Sequence, residues 1–269
     1  MSATELQERP GLKRDFGLML WQIRYEQRAY WRNRGRGVFT FLFPLMFLVI
    51  FGSLDKGSHV NSEGYKIAYD DFFVPGILAY GVVTSTFINM GISTAIARDL
   101  GILKRMQGTP LPRWAYVAAR IGSTAVVVAL LSVVTFVLGA ILYDVPFRAD
   151  TLPALVLALL LGTAAFTTLG IGIVRFIKSA ESAPIVLNLV VLPLMFISGI
   201  WYPVTSMPSW LRHVAAFFPM QPLAEALQYA VNPHTRAPGI KGGDLLDLAI
   251  WTVVGTWLMI KFIREPDRG

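Results

Sequence analysis

Few residues in this chain are equipped for bond-making chemistry, and the sequence keeps them apart. The three histidines, His59, His213 and His234, fall in separate polar segments, so no zinc-binding spacing such as His-Glu-x-x-His arises. A Gly-x-Ser-x-Gly nucleophile elbow is absent. With no cysteine, disulfides, thiolate chemistry and Cys-based metal sites are excluded. No Gly-x-x-x-x-Gly-Lys-Ser/Thr loop occurs, so the chain has no phosphate cradle of that kind. Asp and Glu are nearly missing from the apolar runs, Asp247 being the exception; ion-coupled carriers and intramembrane hydrolases need such groups. What remains is a charged segment, Arg98-Asp99-Leu100-Gly101-Ile102-Leu103-Lys104-Arg105-Met106-Gln107-Gly108-Thr109-Pro110-Leu111-Pro112, wedged between two long apolar runs. A few polar residues suffice to reverse a chain at a membrane surface. This longer, helix-capable loop is suited to being pushed by another protein.

The elements that must position it are apolar. Hydrophobic residues make up 54% of the 269 and charged residues only 15%, against about 25% charged in a soluble domain. The runs 38–54, 73–97, 117–142, 152–173, 184–200 and 245–262 are almost free of charge. A hydrocarbon span needs about 17–25 residues, so the chain reads as an all-α membrane protein with six transmembrane helices. Residues 1–37 form a polar, arginine-rich N-terminus with no cleavable signal pattern, and 38–269 form the transmembrane domain.

The net charge of +7 is unevenly placed. Eighteen of the 24 Lys and Arg fall on the side of the N-terminus, the 98–116 loop, the 174–183 loop and the C-terminal tail. Only Lys56, Lys66, Arg148, Arg212, Arg236 and Lys241 fall on the other. The richer side is cytoplasmic, which places both termini inside and makes the basic excess topogenic rather than a nucleic-acid footprint.

Before the first span, residues 12–36 alternate basic with aromatic. Trp21, Tyr25 and the Arg24/Arg28 pair lie at helical spacing, the pattern of an amphipathic helix at the interface with arginines toward anionic lipid or a cytoplasmic partner. The segment 55–72 reads as a solvated outer loop. Span two carries small and polar residues at every fourth position: Gly81, Ser85, Asn89, Ser93 and Ala97. Span four carries Ala154, Ala158 and Gly162 beside Thr163 and Thr167. Such stripes let helices approach closely, inside one bundle or along a subunit interface or pathway. On the second reading Ser85, Asn89, Ser93 and Asn188 face that pathway. Between spans five and six, the stretches 208–218 and 222–231 each open on proline and are too short to span. They predict two outer re-entrant or interfacial helices, with Trp201, Tyr202, Pro203, Trp210, Phe218 and Glu225 at an outer gate.

Residues 98–120 resemble the loop after the second span of ABC-2 type permeases, the membrane subunits of bacterial ATP-driven exporters. Asp99, Gly101, Leu103, Lys104, Arg105, Thr109 and Pro110 fit that pattern, with Tyr116, Ala119 and Arg120 beyond it. A second block is similar from Phe196-Ile197-Ser198-Gly199-Ile200-Trp201-Tyr202-Pro203 through Met207-Pro208-Ser209-Trp210-Leu211 to Phe218-Pro219-Met220-Gln221-Pro222-Leu223. The resemblance implies that Arg98, Asp99, Gly101, Leu103, Lys104, Arg105 and Met106 couple to a separate ATPase subunit. The N-terminal helix would brace on the same subunit. It also implies two permeases, identical or related, with two ATPase subunits that bind the ATP and Mg, this chain binding no cofactor. The protein would sit in the bacterial plasma membrane. Phenylalanines dominate the spans' aromatics (Phe39, Phe41, Phe43, Phe47, Phe87, Phe136, Phe166), which favours a drug, antibiotic or lipid-like cargo. The alternatives are a lipid-linked polysaccharide or teichoic-acid-like glycan, or a membrane anchoring protein with no transport role. Replacing Leu103 and Lys104 is expected to uncouple transport.

Overall fold

A backbone in hydrocarbon must satisfy its own hydrogen bonds, so apolar runs of this length become helices. The computed structural model describes residues 12–62, 64–107 and 113–264, and helix accounts for 79% of it. Thr109, Pro110 and Glu63 lie outside the described residues.

The N-terminal helix α1 (Leu12–Arg32) breaks at Asn33 before α2 (Arg34–Leu54). Next come strands β1 (His59–Ser62) and β2 (Tyr65–Ala68), then α3 (Tyr69–Val83), a π-helical turn (Thr84–Ile88) and α4 (Asn89–Asp99), which together form one continuous rod. The short α5 (Ile102–Gln107) leads to α6 (Arg113–Tyr143), α7 (Leu152–Gly172), a 3-10 turn (Ile173–Phe176) and α8 (Ala183–Ile197). The chain ends in α9 (Ser209–Phe217), α10 (Met220–Val231) and α11 (Gly242–Arg264).

Among the described residues, five stretches are long and apolar enough to cross a membrane: Gly37–Leu54, Tyr69–Asp99, Ala115–Tyr143, Leu152–Phe176 and Gly242–Ile263. The sixth expected span, 184–200, falls short of one. Its helix α8 has 15 residues, roughly 22 Å at 1.5 Å per residue, and the chain turns away at Gly199, whose φ is +73°. The segment 55–72, expected as a solvated loop, instead holds an antiparallel hairpin pairing His59 with Ala68, Val60 with Ile67 and Ser62 with Tyr65. Gly64 supplies the positive φ at its turn. Helix α3 then starts at Tyr69, four residues before the apolar run does.

The α3–α4 rod is the axis of the bundle, with 83% of its apolar window buried. Helices α7 and α11 meet along a glycine seam. A Cβ at Gly172 would lie 2.7 Å from Leu258 Cβ, and one at Gly255 would lie 2.9 Å from Leu169 N. The small stripe of span four packs inside the bundle: a Cβ at Gly162 would meet Leu223 of α10 at 2.6 Å. Helix α10 is thereby core, with Leu223, Ala224, Ala226, Leu227 and Ala230 buried. Helix α9 lies outside it and exposes Trp210, Val214 and Phe217 on one side.

Candidate coupling face, groove and outer gate

At the basic end, α4 finishes in Arg98, which turns inward, and Asp99, which stays 37% exposed beside it. Arg98 Nη1 donates to the carbonyls of Val174 (3.0 Å) and Ile177 (2.6 Å), and its Nη2 to Lys178 O (3.2 Å). The guanidinium also pairs with Asp99 at 2.9 Å, and Asp99 Oδ2 accepts the Ala180 amide at 2.6 Å. The two residues expected to face a partner therefore clamp the end of α4 to the 174–180 loop of the same chain. Gly101, at φ +67°, reverses the backbone into α5. Leu103, expected on the outward face, is buried in the core at 8% exposure, while Leu100 (61%) and Ile102 (39%) beside it are exposed. The physical reason is the length of α5: a six-residue helix gains stability by tertiary burial, and Leu103 provides the anchor. Lys104 and Arg105 are exposed, and Arg105 Nη2 donates to Leu100 O at 3.0 Å. Met106 lies on the same helix.

Helix α1 has two faces. Trp21, Arg24, Tyr25 and Arg28 are exposed, with the Trp21 and Tyr25 rings stacked 5.9 Å apart. On its inner face, Gln27 Nε2 reaches Ser123 O (2.6 Å) and Oγ (3.0 Å) on α6.

The small-polar stripe of span two does not line one site. The π turn offsets Ser85 from Asn89 across it, and beyond it Asn89 and Ser93 line different cavities because α2 and α8 flank the one while α1 and α6 flank the other. Ser85 Oγ and Thr86 Oγ1 donate to Val82 O at 3.0 and 2.6 Å, and Thr84 Oγ1 to Gly81 O at 3.0 Å. These hydroxyls satisfy carbonyls around the irregular turn. Beyond it, Asn89 Nδ2 donates to Thr40 Oγ1 of α2 at 2.8 Å. Asn89 and Asn188 then line one groove of 410 Å³, walled by Phe39, Phe43, Phe47, Tyr80, Ile88 and Leu192. Asn188 is the quieter of the two, its amide donating to Pro184 O of its own helix at 2.8 Å. Ser85 and Ser93 line a different, smaller cavity with Arg120.

Beyond the groove, toward the hairpin end of the bundle, Trp201 is buried among aromatic rings. Its centroid lies 4.4 Å from Phe51, 5.6 Å from Phe47 and Phe73, and 5.9 Å from Phe196. Its Nε1 is buried and has no hydrogen-bond partner among the described residues. The turn that carries it is held from two sides: Gln228 Nε2 donates to Gly199 O at 2.8 Å, and Gly76 of α3 leaves room for Ile200 O, 2.7 Å from where a Cβ would stand. Tyr202 lies 6.2 Å from Tyr69. Pro203 lines an outer cavity of 490 Å³ with Asn61, Thr205, Glu225 and Gln228.

These elements form a charged face, a groove and an aromatic plug in one continuous bundle. The sequence profile of the family described as ABC-2 type transporter matches residues 18–232. The chain belongs to the ABC-2 type transporter family. Its relatives carry the name transport permease. They include ycf38 of Porphyra purpurea, 26% identical over 201 residues, covering 74% of this chain and 68% of the relative. The inner membrane transport permease YadH of Escherichia coli (strain K12) is 24% identical over 184 residues, covering 68% of this chain and 70% of its own. YvfS of Bacillus subtilis (strain 168) is 22% identical over 194 residues, covering 72% and 77%. As a member of a transport-permease family with five long apolar helices, this chain is a multi-pass membrane protein.

Within this ABC-2 chain, the residues expected at the outer gate do not all meet. Trp201, Tyr202 and Pro203 gather at the plug or its outer cavity. Trp210 stands apart at 67% exposure, on the side of α9 away from its buried Ala215. Phe218 packs on Phe217, 5.4 Å away. Glu225 shares the outer cavity with Pro203 and also ties α10 to the start of α11 through Lys241 Nζ at 2.5 Å, while accepting Gln221 Nε2 at 2.6 Å. Arg148 makes a parallel tie, donating to Asn232 O (2.7 Å) and Thr235 O (2.8 Å) and pairing with Asp150 at 2.6 Å; its hydrogen bonds hold the Asp150 carboxyl below the usual range. Sequence reasoning missed Thr40, Tyr80 and Gln228, whose roles depend on distant partners. It also passed over Glu26, and took Arg120 as topogenic charge and as part of the family-like segment without a role of its own. The available signal was Arg120 itself, an ionisable residue inside the 117–142 run.

Proposed function

We propose that this chain is the membrane subunit of an ATP-driven exporter that moves an apolar, drug- or lipid-like cargo outward. The observation that carries this reading is the groove: Asn89 and Asn188, on different helices, meet in a 410 Å³ cleft whose other walls are mostly aromatic and aliphatic. Such a site is apolar with a few placed polar groups, the composition of small-molecule binding clefts. The Trp201 plug stands on its outward side. In this reading α8 and the segment through Trp201 complete a sixth pass, α9 and α10 form the outer pair, and the basic face lies in the cytoplasm of a bacterial cell.

The engine is a separate ATPase subunit, present in two copies, that holds ATP and Mg. The exposed Leu100, Ile102, Lys104 and Arg105 with the Trp21/Arg24/Tyr25/Arg28 face of α1 form its docking surface. The Arg98–Asp99 clamp passes a push on α5 to the 174–180 loop and so to the foot of α8, one wall of the groove. A second permease copy covers the open side of that groove. The names of the relatives, transport permeases, agree with this role.

The test is purification of the full chain from native membranes, followed by reconstitution with whatever ATPase accompanies it. A nucleotide-binding subunit should co-purify, and vesicles holding the pair should accumulate a fluorescent dye or labelled lipid only with ATP. Transport of a lipid-linked oligosaccharide and not of dyes would move the assignment to the glycan branch. A chain that purifies with no ATPase and supports no flux would leave an anchoring role.

A further inference from the structure

The inner part of the bundle contains a buried ion pair that neither the coupling face nor the groove nor the gate uses. Glu26 of α1 and Arg120 of α6 approach to 3.3 Å, with side chains only 10% and 13% exposed. A buried pair of this kind adds little net stability over apolar residues of similar volume. Its physical value is directional: the charges resist separation in a low dielectric, where an apolar contact would slide.

Arg120 is also the point at which three helices meet. Its Nε donates to Tyr116 OH at 3.1 Å, its guanidinium lies 5.3 Å from the Tyr116 ring centre, and its Nη1 reaches Met90 Sδ at 3.7 Å. Met90 follows Asn89, whose amide bonds Thr40 in the groove. Helix α1 is seated beside this junction by Ile23, whose Cδ1 lies 2.8 Å from where a Cβ on Gly122 would stand. Next to the pair is a 70 Å³ chamber lined by Glu26, Ser85, Met90, Ser93, Arg120 and Ser123. Glu26 Oε2 is buried and has no hydrogen-bond partner among the described residues. The junction thus combines a firm link with free volume and an unused acceptor, which gives the link room to move.

We infer that the Glu26–Arg120 pair is the joint through which displacement of α1 reaches the groove, by way of Met90 and Asn89. Both are positioning residues, acting through Asn89 rather than on the cargo. The inference rests on the exporter reading above and adds a second transmission route to the one through Arg98. When the ATPase moves α1 along α6, Arg120 is drawn with Glu26 and shifts the first turn of α4, and the chamber accommodates the shift.

The test uses the full chain with its co-purified ATPase in vesicles, comparing Glu26→Gln, Arg120→Gln and the exchanged pair Glu26→Arg with Arg120→Glu. Because the native chain has no cysteine, a cysteine at Phe43 in each background reports groove accessibility through maleimide labelling. Each single variant should keep its abundance and ATP hydrolysis but lose roughly tenfold in dye exported per ATP, within the range of coupling carried by packed side chains. Labelling at position 43 should cease to respond to ATP in both. The exchanged pair should restore export and the labelling response. Full export per ATP in either single variant overturns the inference, as does an exchanged pair that accumulates yet stays uncoupled. Should the single variants fail to accumulate, the exchanged pair decides alone: restored accumulation with ATP-responsive labelling supports the joint, and failure of both overturns it. A wild-type complex that hydrolyses no ATP and exports nothing overturns the exporter reading itself, a result visible before any variant is made.

Discussion

Arg98 shows why a charged residue at a membrane face need not be a contact for a partner. Its fork reaches three backbone carbonyls of the 174–178 stretch and the Asp99 carboxylate at once. Lysine keeps the charge but cannot reproduce that planar fork. With charge-assisted hydrogen bonds each contributing about 1.5–3 kcal/mol, Arg98→Lys should destabilise the chain by about 2–4 kcal/mol. The check is thermal or denaturant unfolding in detergent, with Arg105→Lys as the neutral comparison. Leu103 and Leu100 make a second contrast three residues apart. Leu103→Ala removes a buried anchor and should cost about 2–4 kcal/mol of stability. Leu100→Ser alters an exposed position, so stability should stay within about 0.5 kcal/mol while co-purification with the ATPase drops. A stable Leu103→Ala protein with lost ATPase binding would return Leu103 to the outward face. The uncoupling experiment is accordingly better made at Leu100 and Lys104 than at Leu103.

At the scale of elements, α7 and α11 are held by glycines that face each other's backbone. Gly172→Val and Gly255→Val should each cost about 1–3 kcal/mol or more by overpacking this seam, and Val253→Leu, on the exposed side of α11, should be neutral. Unfolding midpoints of the three variants provide the comparison. The apolar runs made the long helices legible to within a few residues at most ends, because hydrocarbon length and backbone satisfaction leave little choice. The hairpin was not legible: His-Val-Asn-Ser and Tyr-Lys-Ile-Ala alternate for only four residues each, and their polar content reads as loop. The one local hint was Gly64 at the centre of the segment. The span-two stripe was legible as a pattern but not as two sites, since the helices packed on either side of it, α2 and α8 at Asn89 and α1 and α6 at Ser85 and Ser93, decide which residue lines which cavity. The Glu26–Arg120 pair was hidden for another reason. Arg120 stands out as a charge inside an apolar run, but Glu26 is unremarkable in its amphipathic helix, and only the packing of α1 on α6 brings the two together.

The molecule as a whole is asymmetric in how it covers its helices. The α3–α4 rod is wrapped on all sides, whereas α8 is packed along a single stripe, Ala183, Leu187, Val191 and Met195. Its opposite stripe, Ile185, Leu189, Leu192 and Phe196, is 45–72% exposed and runs from the foot of the helix to the Trp201 plug. The groove opens on the same flank, between exposed Phe39 and Phe43 of α2 and Leu192 of α8. Lipid would leave the cleft open to the bilayer, but a second permease related by a two-fold axis would enclose it and double its walls. In such a pair, residues near the axis face their own copies. Single cysteines placed at Ile185, Leu189, Leu192 and Phe196 have no native thiol to compete with. On mild oxidation at least one of them should join two chains into a covalent dimer, while Val253→Cys on α11, equally exposed at 70%, should remain monomeric. Dimers from Val253→Cys with none from the α8 series would put the second copy against α11 and leave the groove to lipid.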